Sequence, residues 1–332
     1  MPALLNHRYA IIQLLGTGQV GRTFFAEDMR ATLPSRRWCI IKEYEPQIRT
    51  TEGYRLIQEE FRKRAATLAR LSREHRYIPA IYHHFTKDGL FYLVREWVQG
   101  ESLGNWVEQR GPLGEADVRK VLVRILDILE YIHRRRMLHG DIQPHHIILR
   151  EWDGEPVLIN FGEFRDVFAG RFLPRQRGTR LDSVLSAYTP LEQQTGRANA
   201  ASDLYSLGLT AIYLLTGGLP QDLESMQMGM VRWYRYAGNI SPELVNILNR
   251  TIQYNWRDRY GNAQKFLKEL QAPSPAGKGI PPSRPKPYPV SRPAPRPTPS
   301  NPSLTGMQEW FRALLPGSLI GAMIVFAYLL IT

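Results

Sequence analysis

Cysteine is almost absent: Cys39 stands alone among 332 residues, so no internal disulfide can form and a reducing compartment is the simplest home. The opening MPALLNHRYAIIQLLG lacks the basic start and uninterrupted apolar run of a secretory leader. No internal repeat is visible, which argues against a repeat architecture, and low-complexity sequence is missing before residue 272. Acidic residues are the scarcer charge, 31 against 43 basic, for a net charge of +12. Between Ala272 and Ser303 there are none, while five positive charges fall there, so part of the excess belongs to a tail. No nucleic-acid partner is expected from this distribution.

What is present is ordinary globular composition, 43% hydrophobic and 22% charged, in a chain long enough for two lobes with a substantial core. Up to about residue 271, apolar runs alternate with turn signals. The stretches YAIIQLLG, GRTFFAED, WCIIKEYE and LFYLVREW predict short strands. Later, EADVRKVLVRILDILEYIHRR and ASDLYSLGLTAIYLLTG repeat their apolar residues at three and four, the spacing of helices. Strands first and helices later predict an α+β, two-lobed domain over residues 1–271, with an N-lobe over about 1–98 and a C-lobe over about 99–271.

The next segment, 272–303, holds 12 of the chain's 24 prolines. Proline fixes φ and removes backbone donors, so extended, disordered chain is expected there. A stiff spacer is the simpler reading, and docking of a protein partner on the PxxP spacings of RPKPYPVSRPAPRP is the alternative. From Ala313 to Thr332 the chain carries no charge over 20 residues, about 30 Å as a helix and enough to cross a bilayer core. A transmembrane helix is expected over 313–332. Arg312 and the basic spacer lie on one flank only, which by the positive-inside rule keeps the large domain on the cytoplasmic side.

Within the globular part, LLGTGQVGRTFFAED spaces Gly16, Gly18 and Gly21 as G-x-G-x-x-G on a hairpin. Glycines let backbone amides approach phosphates, and Lys42 on the following strand could meet the same group. Further on come LHGDIQPHHIILREWDGEPVLINFGEF, YTPLEQ, SDLYSLG and RDRYGNA, in that order. Together these motifs resemble the eukaryotic-type protein kinases, and in particular the bacterial Ser/Thr kinases of cyanobacterial type, over about residues 7–271.

The resemblance implies that Gly16, Gly18, Gly21 and Lys42 hold ATP phosphates, and that Glu96 and Val98 offer a carbonyl and an amide to adenine. It makes Asp141 the catalytic-loop aspartate that orients the attacking hydroxyl. Glu192 and Arg259 become the ion pair anchoring the activation segment, and Asp203 the buried brace of the catalytic loop.

The departures are informative. Asn160 stands where the family has its metal-binding aspartate, and one neutral oxygen is a poor ligand for hard Mg²⁺. His146 replaces the asparagine of the second metal; a surface histidine is the expectation for it. Gln143 replaces the phosphate-contacting lysine, and Gly140 the arginine that reads activation-segment phosphorylation. Arg64, in EEFRKRAATLARLS, aligns with the glutamate that should clamp Lys42, while Glu60 lies one turn earlier and can pair with Arg64 at i, i+4. Ile40 and Arg95 fall where side chains border the adenine pocket and crowd it.

Two readings follow. One is a membrane-tethered pseudokinase, a signalling or binding scaffold with a protein partner, with ATP binding left open and Mg²⁺ or Mn²⁺ doubtful. The other is an active ATP-dependent Ser/Thr kinase with atypical metal binding, for which Asp141 would be catalytic. Other transfer chemistry in the same pocket is the minor third.

Overall fold

The computed structural model describes residues 4–18, 21–47, 50–161, 164–168, 187–219 and 233–272. The proline-rich spacer beyond Ala272 and the expected membrane span at 313–332 lie outside these residues. Among the described residues no helix is long and apolar enough to cross a membrane.

The amino-terminal half builds an antiparallel sheet from β1 (Tyr9–Gly18), β2 (Gly21–Asp28), β3 (Trp38–Tyr44), β4 (Ile81–Lys87) and β5 (Leu90–Glu96), in the order β1-β2-β3-β5-β4. Alternation sorts the side chains of its central strands. Cys39 and Ile41 of β3 join Tyr92 and Val94 of β5 in a small cluster on one face. Tyr44, Phe91 and Leu93 enter the main core on the other.

That second face is covered by α1 (Thr51–Glu74), whose N-cap Thr50 accepts a hydrogen bond from the Gly53 amide. Ile57, Phe61, Ala65, Leu68 and Leu71 of α1 are buried at a spacing of three and four, so one stripe of the helix faces the sheet. Phe61 lies 5.2 Å from Phe91 and 5.4 Å from Phe164, ring centre to ring centre.

The second lobe begins with β6 (Gly100–Ser102) and α2 (Leu103–Arg110), followed by α3 (Glu115–His133), β7 (Ile147–Arg150) and β8 (Pro156–Leu158). The three short strands pair antiparallel as β6-β7-β8. A turn of helix, α4 (Arg165–Phe168), buries Val167 and Phe168, and α5 (Leu191–Gln194) precedes the central α6 (Ala200–Thr216). Helix α6 is buried along nearly its whole length, starts at a reciprocal cap between Asn199 and Ser202, and stops at Gly217 in the left-handed region. Helices α7 (Pro242–Thr251) and α8 (Ala263–Leu270) close the lobe against α6 and α3.

Within the described residues, the four strands and two helices read from their periodicity are present at their predicted places. Strand β4 was not foreseen. All seven of its residues are half-buried, so IYHHFTK shows no apolar-polar alternation to read.

Candidate functional site

Asp203, near the start of α6, is 2% exposed and holds the loop before Asp141. Its Oδ2 accepts from the His139 amide and from His133 Nε2, both at 2.8 Å, and its Oδ1 accepts from the Gly140 amide at 2.8 Å. Burial opposes the charge of this carboxylate, but those donors hold it below the usual carboxylate range. His139, itself fully buried, donates from Nε2 to the Ile159 carbonyl at 3.1 Å and accepts from the Asp141 amide at Nδ1, which fixes a neutral tautomer. Its ring packs 4.6 Å from Phe161.

Gly140 has φ +75°, a conformation that suits glycine and would strain an arginine. Its carbonyl accepts from Gln193 Nε2 at 2.6 Å. Gln193 ends the YTPLEQ motif, but no role is read for it from the sequence. It ties α5 to the loop before Asp141 with a neutral amide. Beside it, Glu192 Oε1 accepts from Arg259 Nη1 at 2.7 Å and from Ser202 at 2.8 Å, deep in the lobe. The remaining guanidinium donors of Arg259 reach the Gln253 and Tyr254 carbonyls.

The loop and the β8 end bring Asp141, Gln143, His146 and Asn160 into one hydrogen-bonded cluster. Asn160 sits at φ +65°, a region asparagine tolerates better than most residues. Its Nδ2 donates to Asp141 Oδ2 at 3.1 Å and to His146 Nε2 at 3.0 Å. Both partners are acceptors, because His146 carries its proton on Nδ1 and donates it to the Asp141 carbonyl at 2.7 Å. This pair of acceptors fixes which end of the Asn160 amide faces them. Gln143 Nε2 donates to the other Asp141 oxygen at 3.2 Å.

His146 is therefore no surface residue, as the sequence had suggested. Its side chain is 17% exposed, and burial pushes its pKa down to about 4 despite the neighbouring Asp141.

As ligands for Mg²⁺, these groups fit badly. Hard cations take several oxygens, preferably anionic. Here the two positions where the family binds metal offer one neutral amide oxygen, that of Asn160, and a histidine, and both Asp141 oxygens already accept from amides. Among the described residues no group of three or more His, Cys, Asp or Glu is arranged for a metal ion.

The residues expected to hold a nucleotide lie on and beside the sheet. Gly16 and Gly18 lie on β1, and a side chain at Gly16 would meet open space. Gly21, on β2 at φ +148°, is different: a Cβ there would collide with the Glu43 carbonyl of β3. Lys42 pairs across the sheet with Thr23 and Leu93, and it lines a cavity together with Arg95 and Asn160. Glu96 is tied to Ala80 through both its amide and its carboxylate, and Val98 is buried in the core. Arg64 Nε donates to Glu60 at 2.7 Å, the i, i+4 pair foreseen for α1.

The family model for the protein kinase domain matches residues 9–270. The chain is similar to serine/threonine-protein kinase PknA of Nostoc sp., at 44% identity over 82% of this chain and 48% of that protein. It is also similar to serine/threonine-protein kinase C of Synechocystis sp., at 40% identity over 81% of this chain and 50% of that protein. The chain thus spans about half the length of the curated relatives it matches.

Among solved structures, that of Rad53 in complex with AMP-PNP is similar with a TM-score of 0.61 at 20% identity, covering 79% of this chain and 64% of that one. The kinase domain of Mycobacterium tuberculosis PknI follows at 0.54 and 20%, covering 79% and 94%. Identities this low speak for the fold alone. The family uses ATP, usually with Mg²⁺ or Mn²⁺. A family match along nearly the whole described region, relatives of the same kind, and a loop braced by Asp203 converge: the chain belongs to the protein kinase family.

Proposed function

We propose that the chain is a pseudokinase, a kinase fold that serves as a membrane-tethered binding or signalling scaffold. The observation that carries this reading is the Asn160 amide, which donates to Asp141 and His146 at once. An aspartate at that position would face the Asp141 carboxylate and need a cation between them. The amide supplies the positive end of its own dipole instead, and the cluster is satisfied by neutral donors. Loss of one preorganised electrostatic contact costs about 10²–10³ in rate. Arg64, Gln143, His146 and Asn160 each replace such a contact of the family. Without a fitting metal set, no step of phosphoryl transfer is assigned to this cleft.

An active Ser/Thr kinase with atypical metal use is the second reading. It is favoured by Asp141, which is kept in a loop whose braces are intact, and by the names of the similar proteins. The two separate in one experiment on the full chain: thermal denaturation with ATP, with and without Mg²⁺ or Mn²⁺, beside a phosphotransfer assay. The scaffold reading expects no metal-dependent rise and no transfer. A metal-dependent rise, with transfer abolished by Asp141→Ala, establishes the kinase.

The tether rests on the charge-free run Ala313–Thr332 and its one-sided basic flank, with the kinase domain on the cytoplasmic side. A chain truncated after Ser303 is expected to leave the membrane fraction. If it still sediments with membranes, that run is not the anchor.

A further inference from the structure

Arg95 stands on β5 with its side chain on the face that carries Phe91 and Leu93, toward α1. It is 8% exposed, and its Nε is buried with no hydrogen-bond partner. Its neighbour Glu96 turns its carboxylate to the Ala80 amide instead. Among the described residues no carboxylate forms an ion pair with the Arg95 guanidinium. The cavity it borders is lined also by Lys42, Leu68, Pro79, Ile81 and Asn160. Among the described residues the lining holds no acid, and the one residue where the family has a carboxylate is a neutral amide.

Burying an uncompensated charge is expensive, and a group that neutralises it recovers that cost. The planar fork of a guanidinium matches two oxygens of one oxyanion. Burial lowers the Arg95 pKa only to about 10, so the side chain stays cationic at neutral pH. We propose that the inner wall of the cleft is an anion site, in which the Arg95 guanidinium receives one oxyanion group, a carboxylate or a phosphate, of a small ligand. The site does not depend on whether the cleft transfers phosphate.

The test is thermal denaturation of the full chain at constant ionic strength, with chloride replaced by inorganic phosphate in one arm and by acetate in the other. A saturable rise in Tm is expected in wild type, and the arm that shows it at lower concentration tells phosphate from carboxylate. Arg95→Met removes the charge, keeps the apolar bulk and should abolish the rise. Arg95→Lys keeps the charge without the fork and should raise the half-saturating concentration about tenfold. It serves as the readout should the methionine variant not fold. The absence of a saturable rise with both anions overturns the site. So does an undiminished rise in the Arg95 variants, which would place the anion at Lys42 or the glycine hairpin.

Discussion

The two ends of the catalytic loop have been treated very differently. At its start, Asp203 gathers three donors and the Glu192–Arg259 pair lies locked in the lobe, as a working kinase would require. Beginning one residue further along, the groups around Asp141 are amides and an imidazole where the family has charged partners and metal ligands. The braces of the loop include a buried ion pair, whereas at its chemical end the side-chain amides of Gln143 and Asn160 donate to Asp141. Folding and catalysis make separate demands on adjacent residues, and on the proposed reading only the first set is met here.

The sharpest way to break this contrast is to remove the brace. Asp203→Ala orphans two backbone amides and a histidine in a buried site, and should cost about 3–5 kcal/mol in urea denaturation. A loss as small as that of a surface change would mean that the loop is held from elsewhere.

His146 comes next. Its pKa lies near 4 in the folded chain and near the ordinary 6.5 when unfolded. The unfolded chain therefore takes up a proton first as pH falls. The stabilisation is full above about pH 6.5 and is lost as pH falls toward 4, by about 2–3 kcal/mol. His146→Gln should flatten the dependence of Tm on pH in that window relative to wild type. An unchanged slope would show that the imidazole titrates as if it were solvated.

Asn160→Asp sharpens the comparison from the other side. With no amide to donate, two carboxylates face each other, and about 1–2 kcal/mol should be lost in chelator. Millimolar Mg²⁺ or Mn²⁺ should restore that loss in the variant and leave wild type unmoved. The smallest effect is expected at Glu60→Gln, whose half-buried pair with Arg64 contributes about 0.5 kcal/mol by thermal denaturation.

Much of this was legible in the sequence. The glycine spacing, Lys42, Asp141 and the later motifs located the cleft, and the changed positions stood out against them. The Glu60–Arg64 pair followed from the i, i+4 spacing once the resemblance placed that stretch on a helix. The hydrogen bonding among the changed residues did not, because Asn160 and Asp141 lie 19 positions apart and meet only through the loop's path. His146 looked like a surface residue because its anchoring partner is a backbone carbonyl, which leaves no mark in side-chain identities. Arg95 could be placed beside the adenine pocket, but that no described carboxylate pairs with it depends on where Glu96 turns.

The three glycines of the β1–β2 hairpin carry a lesson for reading such chains over evolutionary time. Gly21 is required by the sheet, since any side chain there would strike the Glu43 carbonyl whether or not a ligand is present. Gly16 answers to no such neighbour. A lineage that gave up its nucleotide would therefore keep the third glycine and be free to drift at the first. Relatives that retain glycine at position 21 and have lost it at 16 would mark the branch on which the cleft changed its use.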